Sequence, residues 1–235
     1  MERRGLVALV ENFGGAYSET LGINLTEGKE EEIFKWFLAA LLFGAPITEG
    51  AAIKTYKCFC KYNILTPKRI LETEWDGLVK ILDEGSYTRY DFKTADKLLE
   101  VARNLMDKYN GSLNLLHESA SDAQDLERRL KDLGKGIGDV TISIFLRELR
   151  GIWGKADPKP TELVILAARK LGIVEVADGE AALKRLREFW DENKVSGKSF
   201  VNFETALLRL GKDFCRRGKC SGCIVKDECL THEAT

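Results

Sequence analysis

Four cysteines near the end of the chain have a spacing that could hold an inorganic cofactor. They are Cys215, Cys220, Cys223 and Cys229. Their short gaps let the backbone loop around one small centre, and Gly218 and Gly222 permit tight turns between them. Ligation by four cysteine thiolates at uneven gaps is normal for iron–sulfur clusters. The spacing therefore predicts a metal site and favours an iron–sulfur cluster.

Two other uses of these cysteines stay open. Structural zinc sites usually contain two CxxC-type pairs, and only Cys220 and Cys223 have that spacing. Disulfides need an oxidising compartment, whereas the opening sequence MERRGLVALVENFGG lacks the apolar core and cleavage site of a secretory signal. We therefore expect a cytoplasmic protein. The i, i+2 spacing of Cys58 and Cys60 fits no common metal site, and it predicts two buried thiols.

A glycine-rich turn between two predicted helices is the second candidate site. The first helix begins near Ser121 and Gln124, which have capping-box spacing, and ends at Gly134. The turn continues through Lys135, Gly136, Ile137 and Gly138 into a second, apolar helix. Glycines let a partner approach the backbone closely, and amides at the second helix's N-terminus could bind an anion such as a DNA phosphate. The segment 121–150 is therefore either a helix–hairpin–helix that contacts DNA without reading sequence or an ordinary turn between helices.

Together, the hairpin and the cysteine loop resemble the helix–hairpin–helix (HhH-GPD) DNA glycosylases of the endonuclease III type. The run CSGCIVKDEC, from Cys220 to Cys229, is similar to that family's cluster loop, although the gap between Cys215 and Cys220 is shorter than usual. The resemblance implies an all-α fold, with a six-helix barrel domain at 26–150 and a cluster domain at 1–25 plus 151–235. It also implies that the four cysteines hold a 4Fe–4S cluster and that double-stranded DNA is the partner.

The resemblance implies Asp157 as the catalytic residue, because the family's essential aspartate follows the second hairpin helix. A carboxylate there could stabilise the positive charge that develops on the deoxyribose, or orient a water. Asp157 precedes Pro158, so it is also suited to cap a helix. The nucleophilic lysine of the bifunctional members corresponds to Val140, which cannot form a Schiff base. The loop 44–48 lacks the glutamine that the family commonly inserts beside a flipped base.

We therefore expect a monofunctional glycosylase that removes damaged or mispaired bases without lyase activity. A non-catalytic binder of DNA structures and a redox-sensing protein on the same scaffold are the alternatives. Lys135 or Lys155 could also replace the missing nucleophile.

Local basic segments must supply any DNA contact, because the formal net charge is only −1. Arg216, Arg217 and Lys219 lie within the cysteine loop, and Lys135 lies in the hairpin turn. With Gly136, Ile137 and Gly138, these cations are the predicted DNA-binding residues. No apolar run is long enough to span a membrane, and we expect a monomer.

The elements that must position these residues are predicted to be helical. The segment 27–43 has a helical apolar stripe after an acidic first turn, with Thr26 as N-cap. Another helix begins at Pro67, and Thr73 could cap a third. The segment 94–109 ends at an Asn-Gly turn signal. The best strand candidate, 171–178, is short, so an all-α architecture follows.

Overall fold

The computed structural model describes residues 1–175 and 178–230. In this part of the chain the α-helices are α1 (Arg3–Phe13), α2 (Tyr17–Thr20), α3 (Glu30–Phe43), α4 (Glu49–Lys61), α5 (Pro67–Glu84), α6 (Asp91–Tyr109), α7 (Leu113–Ser119), α8 (Ala123–Lys131), α9 (Asp139–Glu148), α10 (Glu162–Lys170), α11 (Gly179–Asn193) and α12 (Phe200–Leu210). The described residues form no β-strand, so the predicted all-α fold is confirmed. The described part of 171–178 forms no strand either, and Val176 and Ala177 lie outside the described residues.

The chain divides into two compact units. The central unit is Leu21–Pro158, and the terminal unit combines Met1–Thr20 with Lys159–Thr235. The central unit contains α3 to α9, including the hairpin, and the terminal unit contains the cysteine loop. None of the described helices is long and apolar enough to cross a membrane.

Helix α3 organises the central unit because almost all of its apolar residues are buried. Its Trp36 indole donates to the Phe145 carbonyl at 3.0 Å, and the Phe37 and Phe145 rings lie 4.8 Å apart. These contacts fix α9, the second hairpin helix, against α3. The Glu30 carboxylate accepts from the Leu113 amide at 2.7 Å, which satisfies a free donor at the start of α7. The predicted N-cap, Thr26, is wrong, since α3 begins at Glu30 after Lys29.

Helices α5 and α6 follow the sequence signals in part. Pro67 is the first residue of α5, as predicted, and Thr66 is its N-cap. Thr73 caps no separate helix, because its hydroxyl donates to the Arg69 carbonyl at 2.7 Å and α5 continues through a kink at Glu74, where φ is 57°. Helix α6 ends at Asn110 in the left-handed conformation, which confirms the predicted stop.

The terminal unit has its own core, formed by apolar residues of α1, α10, α11 and α12. The buried Val225 extends this core into the cysteine loop, and Cys215 and Cys223 pack against it. Gly211, which follows α12, approaches α10 so closely that a Cβ there would lie 2.1 Å from the Leu163 carbonyl oxygen. The loop is therefore held against this unit on both sides of its first cysteine, by the close approach of Gly211 to α10 and by the burial of Val225.

Candidate DNA-binding and catalytic site

Helix α8 begins one residue later than its sequence signal. Asp122 is the N-cap, and its carboxylate accepts from the Asp125 amide at 2.8 Å. The Asp125 carboxylate accepts in turn from the Ser121 amide at 3.0 Å and from Arg129 Nε at 2.8 Å. These contacts hold the pKa of Asp125 well below its usual range, with the Arg129 hydrogen bond as the largest cause. The predicted Ser121 and Gln124 capping box is wrong, because Asp122 is the N-cap and Asp125 accepts from the Ser121 amide.

The hairpin turn places its apolar residue inward and its other predicted DNA-binding residues outward. Ile137 is buried, whereas Lys135, Gly136 and Gly138 are exposed. Gly136 has a φ of 84°, a conformation that suits glycine. The Lys131 ammonium lies 2.5 Å from Asp139 Oδ1 and joins α8 to the start of α9. The turn is therefore an ordered hairpin that exposes its glycines.

The start of α9 offers unoccupied amides on the same hairpin. First-turn amides have no acceptor within their own helix. Within the described part of the chain, no backbone acceptor contacts the Asp139 and Val140 amides. The Val140 side chain is 62% exposed beside them. Amides at a helix N-terminus favour an anion, so this end of α9 can accept a phosphate.

Asp157 is held by a buried cation. Arg150 Nη1 donates to Asp157 Oδ1, and Arg150 Nη2 donates to the Pro158 carbonyl. The Arg150 side chain is 6% exposed and the Asp157 side chain 38% exposed. Arg150 thus fixes a carboxylate that still faces solvent. Sequence reasoning did not find this role, since the spacing of seven residues across a turn has no local signature.

Asp157 does not cap the next helix. Helix α10 begins at Glu162, and its N-cap is Thr161, whose hydroxyl accepts from the Val164 amide at 3.4 Å. The interpretation of Asp157 as an N-cap, drawn from the following Pro158, is therefore wrong. The residues between Pro158 and Thr161 are not helical, because Pro160 disfavours the α-conformation of its predecessor.

The segment before Asp157 is fastened to α7. The His117 and Trp153 rings stack with centroids 4.7 Å apart, and the Trp153 indole donates to Asn114 Oδ1 at 2.8 Å. His117 Nε2 accepts from the Lys155 amide at 3.4 Å. Burial lowers the pKa of His117, and the Lys155 charge lowers it further. Sequence reasoning gave His117 no specific role, because its partners lie almost forty residues away.

The contacts of Lys155 bear on its suggested role as a nucleophile. Its ammonium donates to the His117 carbonyl at 2.9 Å and to the Glu118 carbonyl at 3.3 Å. A cation there stabilises the C-terminal end of α7. Lys155 therefore has a structural role in this arrangement, whereas Lys135 is exposed on the hairpin.

The cysteine loop begins with a π-helical turn, Gly211–Cys215. All six cysteines lie in the described residues, and none of them forms a disulfide. Cys58 is buried as expected, but Cys60 is exposed. Burial raises the pKa of Cys215 to about 11, and although Lys170 opposes this rise, the other three loop thiols add to it. The four thiols are therefore near enough to influence one another.

The donor chemistry of the loop fits an iron–sulfur cluster, because one short segment supplies four partly exposed thiols and none of them forms a disulfide. In the described residues, no three His, Cys, Asp or Glu side chains are close enough to hold a metal ion. Cluster ligation thus stays a prediction. Arg216, Arg217 and Lys219 are exposed on this loop, where the Lys219 amide donates to the Phe214 carbonyl at 3.2 Å.

Two solved structures of known proteins are similar to this chain in fold. No protein-family model matches the chain, and no curated protein sequence matches it significantly. The crystal structure of H. pylori 3-methyladenine DNA glycosylase (MagIII), bound to 1,N6-ethenoadenine, is similar with a TM-score of 0.53 and 15% identity, over 91% of this chain and 98% of that one. A thermostable thymine-DNA glycosylase is similar with a TM-score of 0.55 and 19% identity, over 99% and 97% of the two chains. The chain therefore shares the all-α fold of these two DNA glycosylases.

Proposed function

We propose that this protein is a DNA-repair N-glycosylase that binds double-stranded DNA through its hairpin and hydrolyses the bond between a damaged or mispaired base and deoxyribose. The fold shared with two DNA glycosylases supports the class of reaction. The observation that carries the proposal is the solvent-facing Asp157 carboxylate, which buried Arg150 holds at the end of the segment that follows α9. A fixed, accessible carboxylate is the group that glycosidic hydrolysis requires.

In the proposed reaction the base is first flipped out of the duplex. The bond between the sugar C1′ and the base nitrogen then breaks, and the base departs with the bonding electrons. The Asp157 carboxylate stabilises the positive charge left on the sugar. A water oxygen adds to C1′, and its proton passes to the departing base or to solvent. The product is an abasic site, and Val140 provides no amine for subsequent strand cleavage.

We further propose that Cys215, Cys220, Cys223 and Cys229 hold a 4Fe–4S cluster, as in the endonuclease III type. Their position in one short segment and the absence of a disulfide among them support this assignment. The bound cluster would supply a rigid centre for the loop. Arg216, Arg217 and Lys219 would then contact DNA phosphates from that loop.

The test is a base-release screen on duplexes that carry alkylated, etheno, oxidised, deaminated and mispaired bases. Release of one base class by the parent protein is expected, and Asp157→Asn should reduce the single-turnover rate by about 10²-fold or more. Asp107→Asn, at an exposed position on α6, is the matched control and should retain the parent rate. Base release that persists unchanged in Asp157→Asn would remove this residue from the mechanism.

A non-catalytic DNA binder is the second candidate. The contact between Arg150 and Asp157 favours it, because an ion pair can be the whole purpose of a carboxylate. In that case duplex binding would persist while every substrate in the screen stays intact.

A further inference from the structure

Helix α6 supports the hairpin turn from behind. A Cβ at Gly134 would lie 2.7 Å from Val101 Cγ2, so the turn can pack on α6 only with glycine there. The Lys135 amide donates to Glu100 Oε2 at 2.8 Å. A Cβ at Gly136 would lie 3.4 Å from Lys97 Cε and 3.7 Å from Lys97 Nζ. The ammonium of Lys97 is therefore immediately beside the exposed glycine of the turn.

Lys97 forms no ion pair within the described part of the chain. Its side chain is half-buried, and burial alone lowers its pKa, with no carboxylate contributing. The nearby acidic groups have other partners: Glu100 accepts from the Lys135 amide, and Asp139 pairs with Lys131. A partly desolvated ammonium outside any ion pair is unfavourable, and an anion bound beside it would relieve that cost.

We propose that Lys97 contacts a DNA phosphate together with the hairpin amides, and so forms part of the duplex-binding surface. This inference rests on the proposed DNA binding of the hairpin. Lys97 lies on α6, outside the segment 121–150, and sequence reasoning assigned it nothing. Its position beside Gly136 means that a phosphate near the turn meets a charged group as well as backbone donors. The contact is to the backbone of DNA and is independent of base sequence.

The test compares Lys97→Met, which keeps the apolar stem and removes the charge, with Lys108→Met at an exposed position on the same helix. Duplex affinity is measured across a series of salt concentrations. Lys97→Met should weaken binding to all sequences alike and reduce the slope of log K against log salt by about 0.9. Lys108→Met should change neither quantity. The thermal midpoint of Lys97→Met should equal or exceed that of the parent, because a poorly solvated charge is removed.

Two outcomes would overturn the inference, and they differ in meaning. If the parent binds duplex and Lys97→Met has the parent affinity and slope, Lys97 only packs against the turn and the proposed function stands. If the parent binds no duplex even at low salt, the proposed function and the role of Lys97 fall together.

Discussion

Val140 is the residue that, by the resemblance drawn from the sequence, corresponds to the nucleophilic lysine of bifunctional glycosylases. It lies in the first turn of α9, and its side chain is 62% exposed. An exposed apolar residue beside free helix amides is poorly explained by core packing. Its exposure also means that a polar side chain can replace it at little cost in stability.

Val140→Lys should therefore fold normally and acquire weak lyase activity. The parent should form no adduct when borohydride is added to a reaction with abasic DNA, because Val140 supplies no amine. The variant should give a covalent protein–DNA adduct on a denaturing gel. Val140→Met, similar in length but without an amine, is the control. An adduct with the parent protein would contradict the prediction and point to Lys135, since the Lys155 ammonium is already bound to α7.

His117 should make stability depend on pH. Its pKa lies below the ordinary value of 6.5 in the folded protein because burial and Lys155 disfavour the charged form. The unfolded chain then binds more protons than the folded one as the pH falls through 6.5, so this contribution to stability is lost on acidification. Denaturant titrations between pH ~7.5 and ~5.5 should show a falling free energy of unfolding. His117→Phe, which keeps a ring against Trp153, should flatten that decline, and an unaltered decline would exclude His117 as its source.

At the scale of elements, the sequence predicted what local chemistry determines. The Thr66 cap, Pro67 and the left-handed Asn110 were predictable because each signal acts within one turn of its own helix. Thr26 and Thr73 failed as caps because their hydroxyls donate to Asn24 Oδ1 and to the Arg69 carbonyl, and the sequence signal does not show which local partner each hydroxyl takes. Arg150, His117 and Lys97 were not predictable, since their partners are brought together only by tertiary packing.

Alanine substitutions at Gly136 and Gly138 should distinguish an effect on stability from an effect on DNA binding. Gly136 has a φ of 84°, so Gly136→Ala should lower the free energy of unfolding by about 1 kcal/mol. A Cβ at Gly138 would meet no atom within 4 Å, and its φ is −103°. Gly138→Ala should therefore change stability by less than about 0.5 kcal/mol.

Both variants should bind duplex more weakly, because the added methyl group lies where a phosphate would approach. Gly50→Ala, at another open position, serves as the binding control. Affinity that is unchanged in Gly138→Ala, measured by fluorescence anisotropy, would place the DNA elsewhere.

At the scale of the molecule, each compact unit contributes one candidate DNA-binding segment. The central unit carries the hairpin with Lys97 and Lys135, and the terminal unit carries Arg216, Arg217 and Lys219. The formal net charge of −1 provides no general attraction to DNA. Affinity should therefore depend on a few local cations and fall steeply with salt.

The proposed cluster gives the terminal unit a direct chemical test. Protein purified without oxygen should be brown and contain about four iron atoms and about four acid-labile sulfides per chain. Cys223→Ser should lose most of the iron and expose the loop to proteolysis, because the ligands order it. Cys60→Ser, which changes an exposed thiol outside the loop, should keep the full iron content. Stoichiometric zinc without sulfide would contradict the assignment.

The π-helical turn before Cys215 affects the direction in which this cysteine points, whereas the length of the loop sets its distance from Cys220. The Arg216 amide donates to the Gly211 carbonyl at 2.9 Å, five residues back, so this turn contains one residue more than an α-helical turn. One extra residue rotates the following position by about 100° around the helix axis. The direction in which the first cysteine leaves the helix is thus set by helical phase, whereas its distance from Cys220 is set by loop length. A change in the winding of the helix before Cys215 would therefore redirect its thiol without any change in the length of the loop.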